Sequence, residues 1–157
     1  MLLTAEALRI VDHYTRAWAA PTVHAWDGMF HPDARFIQPL LRDAPDMQTY
    51  HRQVERMLYL APDLVGTVER VAQDGDTIAI ELTLTGTIGG RPISWTLVDL
   101  IGVRDGLGTY RRAFFDPTPL AIALCTRPRA WYRWWRSGIW PLTFRQQLPG
   151  LRTVPRP

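Results

Sequence analysis

The segment from Gly90 to Asp116 constrains the fold of this chain most, because it predicts two long strands joined by one tight turn. Alternate residues of a strand share a face, so the first strand places Asp99 in the middle of an apolar row. The other members of that row are Trp95, Leu97 and Ile101. The turn at 104–106 ends in glycine and fits a three-residue hairpin loop, a register that places Asp99 opposite Arg111.

The rest of the chain supplies helices first and strands afterwards. Apolar residues at helical spacing predict three helices before the main sheet, at 4–20, 23–30 and 47–60, with a brief strand after His31. Strands are expected at 64–72 and 77–87, before the two strands of the central hairpin. The predicted fold is α+β: a cone-shaped, curved antiparallel sheet with three N-terminal helices packed on its concave face.

The charge distribution separates a body from a tail. All 18 basic residues are arginines, all 15 acidic residues precede residue 117, and seven arginines follow it. We therefore expect a single domain over 1–120 and a basic, Trp-rich helical extension over 121–157. Because the positive charge is confined to the extension, the overall charge gives no reason to expect a nucleic-acid partner.

The extension has two competing interpretations. Its Arg/Trp segment, RPRAWYRWWRSGIW, is typical of a helix that packs its Trp face on the sheet or on a dimer partner and leaves Arg in solvent. The same composition suits a helix at the surface of an anionic membrane. The Pro-rich end, 148–157, is predicted to be disordered.

Several classes of site are not expected. The single cysteine, Cys125, allows neither an internal disulfide nor a cysteine-based metal centre, and its apolar neighbours predict a buried thiol. The four histidines lack the spacing of known metal motifs, so no metal is predicted. The N-terminal residues contain no secretory signal pattern and no apolar run is long enough to span a membrane, which leads us to expect a cytoplasmic location.

Several segments together resemble the SnoaL-like proteins of the nuclear transport factor 2-like superfamily. The similarity covers about residues 4–120 and rests on Tyr14 and Trp18 in the first helix and on three longer matches. These are FHPDARFIQP, APDLVGTVERVAQDGDTIAIELTLTGTIGG and VDLIGVRDGLGTYRRAFFDP. The resemblance implies a cone whose open end holds an apolar small molecule, and a homodimer formed through the sheet. Because this scaffold hosts many activities, it implies less about function than about fold.

Individual family positions are only partly kept. The ketosteroid isomerases, which look similar, use a first-helix tyrosine and a carboxylic acid on the long strand, and Tyr14 and Asp99 match these. Their aspartate base corresponds to Gln38, which accepts no proton at neutral pH. SnoaL-like cyclases and epoxide hydrolases use an acid at the position of Ala113. The hydrolases also use an arginine and an acid at the positions of Ile80 and Leu82. All three positions are apolar in this chain.

The candidate catalytic residues are therefore Asp99, Tyr14 and Arg111. Candidate substrate-binding residues surround them, namely Trp18, Phe36, Gln38, Met57, Trp95, Leu97 and Phe115. An unpaired aspartate in such surroundings can act as a general base or, when protonated, as a donor to an oxyanion. If Arg111 lies beside it, the two form either a structural ion pair or a pair that orients a polar ligand group.

Two functions fit these residues. In the first, the protein is a cofactor-independent isomerase, cyclase or hydrolase that acts on a hydrophobic, oxygenated molecule of the polyketide, sterol or terpenoid type. Asp99 would move the proton, and Tyr14 or Arg111 would stabilise the enolate oxygen. In the second, the same cone binds a ligand without turnover, or associates with a membrane surface.

Overall fold

The computed structural model describes residues 3–139, which contain four α-helices and five β-strands. The helices are α1 (Ala5–Ala19), α2 (Met47–Leu60), α3 (Thr118–Thr126) and α4 (Pro128–Ser137). The strands are β1 (Phe30–Ile37), β2 (Val65–Asp74), β3 (Thr77–Ile88), β4 (Arg91–Arg104) and β5 (Leu107–Phe114). This order confirms the predicted α+β fold, with helices packed against one curved, open sheet.

The five strands form one sheet in the order β1-β5-β4-β3-β2. Strands β2 to β5 are an antiparallel meander, whereas β1 pairs with β5 in parallel. Two-residue turns join the meander, and both glycines of the Gly89-Gly90 turn have positive φ. Such turns match the twist of the flanking strands and keep them paired to their ends.

Each of the two long helices begins at a side-chain cap. The Thr4 hydroxyl accepts a hydrogen bond from the backbone N–H of Ala7, and the Asp46 carboxylate accepts one from Thr49. Each bond satisfies an N–H that the first helical turn leaves without an intrahelical partner. The buried face of α1 includes Tyr14 and Trp18, and this helix packs against β2.

The helix predicted for 23–30 does not form. This segment makes successive turns, in which the N–H of Asp27 bonds to the carbonyl of His24 and that of Met29 to the carbonyl of Trp26. Gly28 has a φ of 76°, which interrupts a right-handed helix, and so short a segment gains little from helix formation. Two N-terminal helices, not three, therefore pack on the sheet.

The C-terminal extension continues the hydrophobic core of the domain. The boundary expected at residue 120 falls inside α3, and the buried apolar residues from that point on are Leu120, Ala123, Leu124, Ala130 and Ile139. The Arg127 guanidinium donates to the carbonyls of Ile88, Arg91 and Pro92, which anchors α4 at the β3–β4 turn. The end predicted to be disordered, 148–157, lies outside the described residues.

Two surface features complete the fold. Cys125 is exposed on α3, so the expectation of a buried thiol is wrong: its apolar neighbours turn inward and the cysteine does not. Across residues 3–139, no helix combines the length and apolar character needed to cross a bilayer.

Candidate functional site

Asp99 lies at the centre of the inner face of the sheet. Its neighbours across the strands are Ile80 on β3 and Ala113 on β5, and its side chain is fully buried. The Tyr14 hydroxyl, presented by α1, donates a short hydrogen bond to Asp99 Oδ2. Asp99 Oδ1 has no hydrogen-bond partner among the residues that the structure describes. Tyr14 and Asp99, two of the predicted catalytic residues, are thus in direct contact.

Arg111 joins this pair, although not by the predicted register. Its Nη2 lies 2.9 Å from Asp99 Oδ2, and both side chains are almost fully buried. Arg111 is paired across the strands with Ile101, because the hairpin turn contains only Asp105-Gly106 and the register shifts again beyond Gly102. The combined displacement is two residues, which preserves the inward face and leaves the ion pair diagonal.

A second layer of polar groups holds the other side of the guanidinium. Arg111 Nη1 lies 3.3 Å from Gln38 Oε1 and 3.4 Å from the Tyr50 hydroxyl. Gln38 in turn donates to Gln53 Oε1 at 3.0 Å. Tyr50 and Gln53 were not among the predicted site residues. Their spacing of three residues, which places both on one face of α2, was the available signal.

Burial and charge set the protonation of this network. Burial raises the pKa of the Tyr14 hydroxyl, and Asp99 raises it further against the opposing effect of Arg111. Burial also raises the pKa of Tyr50. Burial alone would lower the pKa of Arg111, but the nearby Asp99 charge outweighs this effect and the pKa lies well above its usual value. Tyr14 is therefore a hydrogen-bond donor and Arg111 a cation at neutral pH.

An apolar cavity begins where this network ends. Arg111 lines its wall, whereas Asp99 and Tyr14 lie behind Arg111 and do not. Six of the predicted binding residues line the cavity: Trp18, Gln38, Met57, Trp95, Leu97 and Phe115. Phe36 does not, because its ring stacks on Tyr50 with a centroid separation of 4.0 Å. The charged group that faces the cavity is thus the Arg111 guanidinium and not the Asp99 carboxylate.

The cavity is small. Its volume is about 60 Å³, which leaves room for a few water molecules. Sites for drug-sized ligands measure about 300–1,000 Å³. A ligand of several rings therefore requires outward movement of the lining side chains.

The C-terminal extension closes part of this cavity. Leu120 of α3 and Ile139 beyond α4 line it together with the strand residues. Ala113, where the resemblance to SnoaL-like cyclases implied an acid, also lines it and supplies only a methyl group. The wall is consequently apolar except for Arg111, Gln38 and the indole N–H groups of two tryptophans. In the described part of the chain, Trp18 Nε1, Trp95 Nε1 and Arg111 Nε have no hydrogen-bond acceptor.

A curved sheet closed by helices over an apolar cavity defines the cone fold of the nuclear transport factor 2-like superfamily. Residues 11–110 match the SnoaL-like domain, and the chain belongs to this family. No curated protein gives a significant match.

Solved structures show the same fold at low sequence identity. A protein from Jannaschia sp. CCS1, named as a candidate SnoaL-like polyketide cyclase, is 18% identical with a TM-score of 0.70, over 82% of this chain and 99% of its own. A protein of ketosteroid isomerase-like fold from Catenulispora acidiphila DSM 44928, in complex with trimethylamine, is 19% identical with a TM-score of 0.66, over 78% and 95%. TerC, co-crystallized with polyporic acid, is 14% identical with a TM-score of 0.68, over 74% and 96%.

Proposed function

We propose that this protein binds a hydrophobic, oxygen-bearing small molecule of the polyketide, sterol or terpenoid type in the apolar cavity. The observation that carries the proposal is the position of Arg111, a buried cation at the wall of an otherwise apolar chamber. A guanidinium in such a place forms strong hydrogen bonds to carbonyl, enolate or phenolate oxygen atoms. The surrounding rings and aliphatic side chains supply the apolar contacts.

In this proposal, Asp99 and Tyr14 are positioning residues. Asp99 binds the Arg111 guanidinium and Tyr14 donates to Asp99, so these contacts fix the guanidinium before a ligand arrives. A preorganised cation stabilises a developing enolate without rearranging at the moment of reaction. Cofactor-free cyclisation or isomerisation would therefore depend on Arg111 as the oxyanion-stabilising group.

Acid/base catalysis by Asp99 is the alternative. The unpartnered Oδ1 favours it, since that oxygen retains its capacity to accept a proton. The contacts of Oδ2 with both Arg111 and Tyr14 weigh against it, because proton transfer to a cavity ligand requires Arg111 to move aside. The two roles differ in one respect that can be measured: the first needs the positive charge at 111, and the second needs the carboxylate at 99.

The binding test compares two neighbouring arginines. Quenching of tryptophan fluorescence by a panel of hydroxyquinones, naphthols, steroids and terpenoids would identify ligands of the wild-type protein. Loss of a charged hydrogen bond lowers affinity by about 1.5–3 kcal/mol, so Arg111→Gln should bind at least about tenfold more weakly. Arg112→Gln is the matched control, because Arg112 packs over Phe114 and is not among the residues that line the cavity.

A second variant separates the loss of binding from the loss of folding. Ala113→Leu leaves the ion pair intact and adds three carbon atoms to the cavity wall, so it should exclude the same ligands while the melting temperature changes little. Equal affinity in wild type, Arg111→Gln and Ala113→Leu would mean that ligands bind elsewhere. For any ligand that is converted, full turnover by Asp99→Asn would exclude acid/base catalysis by that residue.

We also propose peripheral membrane contact for α4, the alternative role of the extension. Its outward face exposes Trp131, Tyr132 and Trp135 by 50%, 63% and 73%. Arg129, Arg133 and Arg136 on the same helix are exposed as well. Aromatic residues at the headgroup level and arginines that meet anionic phospholipid suit an interfacial helix.

Vesicle co-sedimentation tests this contact. Wild-type protein should bind phosphatidylglycerol vesicles more strongly than phosphatidylcholine vesicles, and added salt should weaken the binding. Trp131→Ala/Trp135→Ala should reduce binding, whereas Leu8→Ala, which removes an exposed apolar residue from α1, should not. Equal binding by both variants would exclude α4 as the contact.

A homodimer through the outer face of the sheet completes the proposal. That face exposes Val98, Tyr110 and Phe114, on the side opposite to Asp99. Exposed apolar residues on one sheet face are typical of association between subunits. Sedimentation of wild type and Phe114→Glu tests it: the variant should be monomeric if the dimer uses this face.

A further inference from the structure

Two histidines and an aspartate meet on the surface, away from the cavity. His24 and Asp27 belong to the turns before β1, and His51 lies near the start of α2. Asp27 Oδ2 lies 2.9 Å from His24 Nδ1, and Asp27 Oδ1 lies 2.6 Å from His51 Nε2. The ligand atoms of all three residues lie within 4.8 Å of one another.

Separate parts of the chain build this cluster, so no sequence motif reveals it. The turn bond between the Asp27 N–H and the His24 carbonyl, 3.1 Å long, brings the first two side chains to one side. The α2 helix then presents His51, whose ring packs edge-to-face on that of His24 with a centroid separation of 4.7 Å. The 23–30 segment forms turns in place of the predicted helix, and the cluster depends on those turns.

We propose that His24, Asp27 and His51 bind one divalent first-row transition-metal ion of the zinc class. Two imidazole nitrogens and a carboxylate are a donor set that this class of ion prefers. Tetrahedral zinc, with Zn–N distances of about 2.0–2.1 Å, separates its ligand atoms by about 3.3 Å. The three side chains reach that spacing by small rotations, since those of His24 and Asp27 are 72% and 48% exposed and free to move. Solvent would occupy the remaining coordination position.

The ion would connect two segments that pack against the functional site. Trp26, between His24 and Asp27, packs edge-to-face on Trp18 and on Tyr50. Tyr50, next to His51, lies within hydrogen-bond distance of Arg111. The proposed ion and the Trp26–Tyr50 contact thus connect the same two segments, one at the surface and one in the core. Binding should stabilise this part of the fold whether or not the cavity takes the proposed ligand.

The experiment uses untagged protein carrying Cys125→Ser, because the exposed Cys125 thiol is itself a zinc ligand. Titration with Co²⁺ should produce visible absorption bands that saturate at one ion per chain and disappear when Zn²⁺ displaces the cobalt. At a Zn²⁺ concentration about a hundredfold above Kd, the melting temperature should rise by about 5–10 °C.

Substitutions of the ligands locate the site. Loss of a residue that supports a metal ligand typically lowers metal affinity about 10- to 100-fold. His24→Gln and Asp27→Asn each remove a ligand itself, so each should lower the affinity for Zn²⁺ by at least that factor. Because the His24 side chain is mostly exposed, its replacement should leave the circular dichroism spectrum unchanged. His31→Gln, a substitution of a histidine on β1 outside the cluster, is the matched control and should bind as the parent does.

Three results would overturn the proposal. They are the absence of Zn²⁺ and Co²⁺ binding at millimolar concentration, binding that His24→Gln and Asp27→Asn leave unchanged, and a loss with His31→Gln equal to that with His24→Gln. In the first case, Asp27 serves only as a shared hydrogen-bond acceptor for two histidines. None of these results bears on ligand binding through Arg111, so the two proposals fail independently.

Discussion

The Asp99–Arg111 pair allows a quantitative test of the buried network. The substitution Asp99→Asn keeps the shape of the side chain and an acceptor for Tyr14, but it removes the negative charge that balances Arg111. The Arg111 side chain is 3% exposed, so water does not replace the lost partner. Breaking a buried pair by removing one member costs about 3–5 kcal/mol. This is a large fraction of the stability of an ordinary domain.

The loss should be visible by calorimetry and should be smaller when both charges are removed. For a chain of this length, 1 kcal/mol shifts the melting temperature by about 2–4 °C, which predicts a decrease of about 6–20 °C for Asp99→Asn. In the double variant Asp99→Asn/Arg111→Met, no uncompensated charge remains. The double variant should therefore be more stable than the sum of the single losses predicts, with a coupling of about 1–3 kcal/mol.

Asp12→Asn is the matched control for this cycle. Asp12 pairs with Arg16 on the exposed face of α1, where the two side chains are 63% and 68% exposed. The same chemical change should leave the melting temperature nearly unchanged there, because exposed pairs contribute little. Additive single losses, or an Asp99→Asn variant as stable as Asp12→Asn, would refute the description of Asp99 and Arg111 as a buried, mutually dependent pair.

Three further predictions concern the extension, acid stability and close packing. Truncation after Leu120 should lower the melting temperature and increase aggregation in light scattering, because it removes buried residues and exposes the apolar surface beneath them; an unchanged melting temperature would contradict this. Hydrogen bonds from the Thr87 side chain and from the Thr87 backbone N–H lower the pKa of the Asp63 carboxyl from 3.8. Its contribution is therefore present above pH 3.8 and is lost as the pH falls through the lower folded value, so Asp63→Asn should reduce the pH dependence of stability below pH 4 in urea unfolding. A methyl group at Gly66 would lie 3.0 Å from Trp18 Cβ, so Gly66→Ala should lower the free energy of unfolding by about 1–3 kcal/mol in chemical denaturation. A denaturation midpoint equal to that of the wild type would argue against this close approach.

The elements of the fold were predictable where local pattern and long-range packing agree. Helix α1 has both a cap at Thr4 and an apolar stripe, and the meander has glycine at its turns, so these elements form where expected. The segment 23–30 has an apolar stripe too, but Gly28 and its short length favour turns. Periodicity alone does not contain that information, because it describes which face is buried and not how the backbone bends.

The candidate site was predictable in composition but not in geometry. Alternation along β4 correctly placed Asp99 inward, and a register error of two residues kept Arg111 on the same face. Which member of the pair faces the cavity depends on the position of α1 against the inner face of the sheet, since Tyr14 occupies the space beside Asp99. The contribution of Ile139 depends on tertiary packing, for which no local pattern exists.

The segment that matches the family carries most of the cavity wall but not all of it. The family match ends at residue 110, while five residues form cavity wall beyond it: Arg111, Ala113, Phe115, Leu120 and Ile139. Ligand preference among proteins with this domain can therefore diverge while the shared portion of the sequence stays recognisable. Engineering a new specificity would begin with the last strand and the helices that follow it.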